Sequence, residues 1–170
     1  MRVRRARPAD IPEIRALIAH YAGAGILLPR DEHDIRRHLD FFLVAADRSG
    51  VAGCVSLEVY HPALAEIRSL AVTPAKVGRG LGARLVKTAL ERAERRRIAR
   101  VFALTSSPDF FVRLGFEPST RHSLHEKIDR DCIHCSKART CQLTALVANL
   151  SAANAAFHIL DESVEPVPVE

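Results

Sequence analysis

The stretch VTPAKVGRGLGARLV, residues 72–86, constrains this chain more than any other. Gly78, Gly80 and Gly82 stand at alternate positions, and an amphipathic helical pattern begins directly behind them. Glycine lets the backbone adopt angles that a Cβ forbids and lets a ligand approach closely. Successive N–H groups turned one way form a concavity that binds anions. A helix starting at its end adds unpaired amides and the positive pole of its dipole. Arg79 and Arg84 carry charge suited to a phosphate-bearing ligand. Two well-known phosphate loops are excluded. The dinucleotide fingerprint needs G-x-G-x-x-G, and the Walker loop needs G-x-x-x-x-G-K-[ST]; neither spacing occurs here. A glycine-rich turn that merely joins strand to helix stays open as the plainer alternative.

The rest of the chain is patterned around that segment. A short strand is expected at 3–6, then a helix from Ile11 to Tyr21 with Ile14, Leu17 and Ile18 on its apolar face, stopped by Gly23 and Gly25. A turn at Pro29 leads into a polar helix opened by Asp31 and Glu32. FFLVAA and VAGCVSLEVY flank DRSG and read as a β-hairpin, and ALAEIRSLAV (63–72) reads as a third strand. After the glycines, Leu81, Leu85, Val86, Ala89, Leu90 and Ala93 trace one helix face. RVFALT is a strand, PDFFVRLGF a helix that turns into a strand at Phe116, and CQLTALV (141–147) a candidate last strand. At 170 residues this order fits one α/β (α+β) domain with a mixed sheet, spanning 1–147. The segment 148–170 is expected to fray.

The net charge of +5 and a pI near 9.4 permit an anionic partner of some kind. Aromatics make up only 5% and Trp is absent, which leaves few platforms for stacking bases. No helix-turn-helix or finger spacing occurs, and Arg95–Arg97 reads as a solvated helix end. No nucleic-acid partner is therefore expected. No apolar run approaches the ~18 residues of a membrane span, and no apolar segment follows the basic start. The expectation is a cytoplasmic protein with no membrane partner.

AVTPAKVGRGLGARLV resembles the pyrophosphate-binding segment of the GNAT acetyltransferases, Gln/Arg-x-x-Gly-x-Gly/Ala between a strand and a helix. Gly80 and Gly82 match its glycines, and Val77 replaces its Gln or Arg. FFVRLGF resembles the second signature of the family, ending in LGF. ILLPRD, AEIRSLAVTP, VFALT, DFFVRLGF and IDRDCIHCSKARTC together are similar to the short, stand-alone bacterial N-acetylglutamate synthases. Leu124–His125 and Cys135–Ser136 depart from that group, which commonly has Leu-Pro and Cys-Pro there. The resemblance implies a GNAT fold, acetyl-CoA as co-substrate, and transfer of acetyl to the α-amine of L-glutamate, with L-glutamine as a further acceptor. It places acetyl-CoA against Leu70, Ala71, Val72, Val77, Gly78, Arg79, Gly80, Leu81, Gly82, Ala83 and Phe111.

The residues suit that chemistry. Two carboxylates on a substrate call for arginine, and Arg30 and Arg68 are the candidates, with Ser69 beside them and Lys127 as a weaker one. The alternative for each arginine is a surface ion pair. The amine must lose a proton before it attacks a thioester. Glu66 is the candidate base, directly or through water, or else the ion-pair partner of Arg68; Glu58 is the second candidate. Phe111 stands where many relatives carry a tyrosine general acid. A thiol of pKa ~8.5 leaves tolerably as thiolate without one, so oxyanion stabilisation would rest on amides around Leu70–Val72. Cys132, Cys135 and Cys141 give C-x2-C-x5-C without a second CxxC. Free thiols are expected and a zinc site is the alternative. Other readings keep the fold with a different amine or a protein N-terminus as acceptor, or make the chain a non-catalytic acetyl-CoA-binding module. A homodimer is compatible with all of them.

Overall fold

The computed structural model describes residues 1–150, in which seven strands form one mixed sheet in the order β1-β2-β3-β4-β5-β7-β6. The strands are β1 (Arg2–Arg5), β2 (Phe42–Asp47), β3 (Gly50–His61), β4 (Leu64–Val72), β5 (Arg100–Thr105), β6 (Glu117–Ser119) and β7 (Thr144–Asn149). The helices are α1 (Ile11–Gly23), α2 (Glu32–Arg37), α3 (Leu81–Arg95), α4 (Pro108–Arg113) and α5 (His125–Arg130). The β2–β3 hairpin turns at Arg48–Ser49, with Asp47 and Gly50 paired across it. The Asp47 carboxylate accepts the Ser49 N–H at 2.9 Å and replaces a backbone turn bond.

Each face of the sheet is covered by helices whose apolar stripes the sequence displays. Leu85, Val86, Ala89, Leu90 and Ala93 of α3 pack with Val55, Leu57, Ile67, Leu70, Val72 and Val101 on one side. Ile11, Ile14 and Ile18 of α1 and Ile35 of α2 pack with Phe42, Val44, Cys54 and Ala71 on the other. The expected strand-and-helix order holds through Phe116. Helix α5 was not expected, and the last strand lies at 144–149 rather than 141–147. The sheet therefore runs past residue 147, and the fraying expected for the tail falls, from residue 151 on, outside the described residues.

Two irregularities of β4 position the site. Its parallel pairing with β5 covers only Leu64–Glu66 against Arg100–Phe102; beyond these, β5 follows β7 to Thr105 and the edge of β4 is left open. On the other edge, Cys54 faces Ala71 and Ser56 faces Arg68, so Ser69 and Leu70 together oppose Val55 in a bulge. Ser69 sits at φ 51, a left-handed conformation uncommon outside glycine. The extra residue reverses the alternation. Ile67, Leu70 and Val72 all face the α3 core, while Arg68 and Ser69 both line the same cleft on the opposite side.

Leu85 is fully buried between α3 and the sheet. Leu85→Ala is expected to lower unfolding free energy by about 2–5 kcal/mol, read from urea denaturation.

Candidate active site

The glycine segment forms a turn of unpaired amides. A single 3-10 turn, Pro74–Lys76, brings the chain off β4, and Gly78 and Gly80 then take φ 81 and 69. Gly80 is the N-cap of α3, and its carbonyl accepts the Arg84 N–H at 3.1 Å. Among the described residues, no N–H of residues 78–83 finds an acceptor. Lys76, Arg79 and Arg84 border a cavity of about 220 Å³ beside it. Val77 packs its side chain against the α3 core, so it anchors the turn where Gln or Arg would reach a phosphate. Leu81 and Gly82 are likewise buried and Ala83 packs on the core; these residues offer main chain only. The turn suits a diphosphate, with the amides of 78–83 as its donors.

Beside the turn, the open edge of β4 presents backbone. Thr73 N–H donates to the Ala52 carbonyl, so the adjoining Val72, opposite Gly53, sends its own N–H and C=O away from β3. The Val72 carbonyl accepts from the Tyr21 hydroxyl at 2.5 Å. Phe111, expected to touch acetyl-CoA, is fully buried, edge-on to Phe110 and Phe116 at about 5 Å. It has no exposed surface to meet a ligand; Phe110, Phe111, Leu114 and Phe116 fill the core, while Val112 is exposed.

On the α1–α2 side, a cleft of about 490 Å³ is bounded by Arg30, Asp34, His38, Glu58, Arg68, Ser69, Arg130 and Asp131. The expected substrate residues Arg30, Arg68 and Ser69 do meet here. Arg30 donates to Glu58 at 2.7 Å and to Asp34 at 2.5 Å, and its Nη1 lies 3.5 Å from Ser69 Oγ. Arg68 lies 3.4 Å from Glu58 and 3.3 Å from Asp131. Arg130 donates to Glu58 at 3.3 Å and to Asp131 at 3.1 Å, and lies over the Tyr60 ring at 3.6 Å. Burial pushes the Glu58 carboxyl up, but Arg68 and Arg30 outweigh it and hold the group below its ordinary value. Glu58 is an ionised anchor and a weak base.

Glu66 lies deeper, directly across the ladder from Glu58 and 0% exposed. Its Oε2 is 2.7 Å from the Tyr60 hydroxyl and 3.1 Å from Lys127, while its buried Oε1 has no partner. Burial raises its pKa, and the attraction of Lys127 and Arg68 does not cancel that. Glu66 borders the smaller cavity beside Lys127, which shares Arg68 and Asp131 with the larger cleft. Its ion pair with Arg68, at 3.7 Å, is present. Asp131 is held far below the usual carboxylate range: burial raises it, but hydrogen bonds from Tyr60, Lys127 and Arg130 dominate.

Sequence reasoning missed Arg130, Asp131, Asp34 and His38. The i, i+4 pair of Lys127 and Asp131, in contact at 3.0 Å, was the available signal for α5. Cys132, Cys135 and Cys141 are free thiols bordering a smaller cavity next to Lys127. Among the described residues no three His, Cys, Asp or Glu side chains are placed to hold a metal. None of the described helices is long and apolar enough to cross a membrane.

A parallel strand pair that parts over a cradle of amides, with a charged cleft on the adjoining face, suits a protein that binds a diphosphate-bearing ligand beside a polar pocket. The profile of the Acetyltransferase (GNAT) family matches residues 12–116. An uncharacterized N-acetyltransferase of Chlorobaculum tepidum is 38% identical over 87% of this chain and 96% of its own length. An amino-acid acetyltransferase of Mycobacterium tuberculosis is 42% identical over 67% of each chain. The crystal structure of N-acetylglutamate synthase from Neisseria gonorrhoeae, complexed with coenzyme A and N-acetyl-glutamate, superposes with a TM-score of 0.77. It is 28% identical, over 88% of this chain and 35% of that one. The chain belongs to the GNAT acetyltransferase family, and acetyl-CoA is its acetyl donor.

Gly80→Ala places a Cβ at φ 69 in the cradle. It is expected to cost about 1–2 kcal/mol of stability and to weaken acetyl-CoA binding by calorimetry. A depressed carboxylate stabilises the fold above its unfolded value of ~3.9 and loses that contribution as pH falls. Stability is therefore expected to drop on acidification through the carboxylate range, and Asp131→Asn to flatten that slope in denaturant titrations at pH 7 and pH 3.

Proposed function

We propose that this chain moves acetyl from acetyl-CoA to the α-amine of L-glutamate, with L-glutamine as a secondary acceptor, the acetylation that opens arginine biosynthesis. The observation that carries the reading is the set Arg30, Arg68 and Arg130 around one cleft, next to the open edge of β4. Three guanidinium groups suit an acceptor with two carboxylates, since each can grip a carboxylate through a forked pair of N–H bonds. The names of the amino-acid acetyltransferase and the N-acetylglutamate synthase relatives support it. This chain spans about a third of the Neisseria enzyme, so only the transferase activity is carried over.

In this reading the amides of residues 78–83 hold the diphosphate of acetyl-CoA, whose thioester supplies an activated acetyl group. Arg30 and Arg68 orient the acceptor by exchanging part of their attraction for Glu58 and Asp131 for the substrate carboxylates. The Val72 N–H, directed to the open edge, stabilises the oxyanion. Tyr21 holds the Val72 carbonyl, in the peptide that follows this N–H. Cytoplasmic location goes with the reading.

The deciding measurement is CoA release over a panel of amino acids and small amines. L-Glutamate is expected to give the highest kcat/KM, and L-glutamine a lower one. Arg30→Ala and Arg68→Ala are expected to raise the KM for L-glutamate by about 10- to 100-fold, the ~1.5–3 kcal/mol of a hydrogen bond to a charged group. The KM for acetyl-CoA should stay within about twofold, because these arginines lie outside the cradle. If glutamate and glutamine release no more CoA than an acceptor-free blank while another amine does, this reading is lost. Acetyl-CoA binding with no turnover on any acceptor would make the chain a binding module.

A further inference from the structure

The cleft is lined by three carboxylates, and each is paired. Asp34 is bonded to Arg30, Glu58 to Arg30, Arg68 and Arg130, and Asp131 to Lys127, Arg68 and Arg130; Glu66 lies behind them, outside the lining of this cleft, with its Oε2 held by Tyr60 and Lys127. The three lining carboxylates, all held below their ordinary values by these cations, have little basicity to offer. One cleft-lining side chain retains a basic nitrogen. His38, at the C-cap of α2, has Nδ1 at 2.9 Å from the Asp34 carbonyl and 3.0 Å from Asp34 Oδ1. Both neighbours of Nδ1 are acceptors, so Nδ1 carries the hydrogen and the neutral ring holds its lone pair on Nε2. Nε2 has no protein partner among the described residues. The ring is further fixed by stacking on Phe41, with centroids 6.2 Å apart.

From this geometry we infer that His38 is the general base that deprotonates the acceptor amine, and that Asp34 is its positioning residue. The inference rests on the amino-acid acceptor proposed above. Asp34 ties the two functions together, since its Oδ2 holds Arg30 Nε and its Oδ1 faces His38 Nδ1. An α-amino acid carries amine and carboxylate on one carbon. A guanidinium gripping the carboxylate therefore brings the amine to the imidazole on the other side of the same aspartate. Ser69, beside Arg30, lies in the stretch of β4 beyond its last pairing with β5 at Glu66. The proton balance is simple. Nε2 takes one proton from the ammonium, the freed nitrogen pair forms the N–C bond, and the C–S bond breaks with its pair on sulfur. The imidazolium then returns its proton to the thiolate or to water.

Asp34 on α2 contacts His38, with Arg30 just before that helix, and Glu58 on β3 is within its electrostatic reach; Arg68 on β4 and Arg130 and Asp131 at the end of α5 line the same cleft. The test compares wild type, His38→Gln and Asp34→Asn in CoA release with L-glutamate across pH, with acetyl-CoA binding measured separately by calorimetry. His38→Gln is expected to lower kcat by about 100-fold or more, the usual range for loss of a general base. KM for L-glutamate and the Kd for acetyl-CoA should stay within about threefold, and added imidazole should restore part of the rate. The acid limb of kcat/KM should vanish in His38→Gln, and Asp34→Asn should lower kcat while leaving the Kd for acetyl-CoA unchanged. A His38→Gln enzyme with wild-type kcat, or one impaired only in KM or acetyl-CoA binding, overturns the assignment. If wild type rejects L-glutamate but accepts another amine, the substrate reading fails, and the same comparison on that amine still decides His38. If wild type accepts no amine, both fall.

Discussion

The parting of β4 from β5 after three residue pairs is the constraint on which the rest of this molecule depends. A fully paired parallel sheet would leave no backbone donors between its strands. Here β5 is claimed by β7 up to Thr105, and the outer half of β4 is held only from the β3 side. That asymmetry turns an interior strand into a local edge. In most sheets an exposed edge is a liability for aggregation. In this one the gap runs toward the amides of residues 78–83, so the same opening exposes a strand edge and leads to an anion cradle.

The second organising fact is electrostatic. Glu58 and Glu66 stand directly opposite one another on neighbouring strands, a like-charge pair that is destabilising unless cations intervene. Arg30, Arg68 and Arg130 surround the outer carboxylate, and Lys127 and Tyr60 hold the inner one. The two acids separate in behaviour as a result: Glu58 stays charged, whereas Glu66 is drawn toward its neutral form by burial. The cations of the cleft are thus already engaged. An incoming anion competes with the resident carboxylates for these guanidinium groups.

Much of this was legible in the sequence because it is carried by local pattern. The glycine spacing, the stripe on α3 and the DRSG turn each specify one backbone geometry whatever surrounds them. The meeting of Arg30 with Arg68 was reached only through resemblance, since they lie on a loop and a strand that the chain joins through a whole hairpin. What stayed hidden has physical reasons. Helix α5 is short and mostly polar, with buried Lys127 as its inward residue, so hydrophobic periodicity has little to report. Phe111 looks the same in a sequence whether it meets a ligand or fills the core. The depth of Glu66 relative to Glu58 depends on α5 closing over it, and His38 gains its meaning from Asp34 one helical turn earlier. Strict alternation placed Glu66 and Arg68 together correctly, yet it could not foresee the bulge. The run I-R-S-L, with two polar residues between apolar ones, was its trace.

That bulge has an evolutionary corollary. Because Ser69 shifts the phase of β4, everything downstream of it is oriented by a count of residues rather than by their identities. Loss or gain of a single residue between Arg68 and Ala71 would rotate Leu70 and Val72 out of the core and re-aim the peptide groups that lead into the glycine turn. Variation among related chains should therefore be poor in changes of length along this segment.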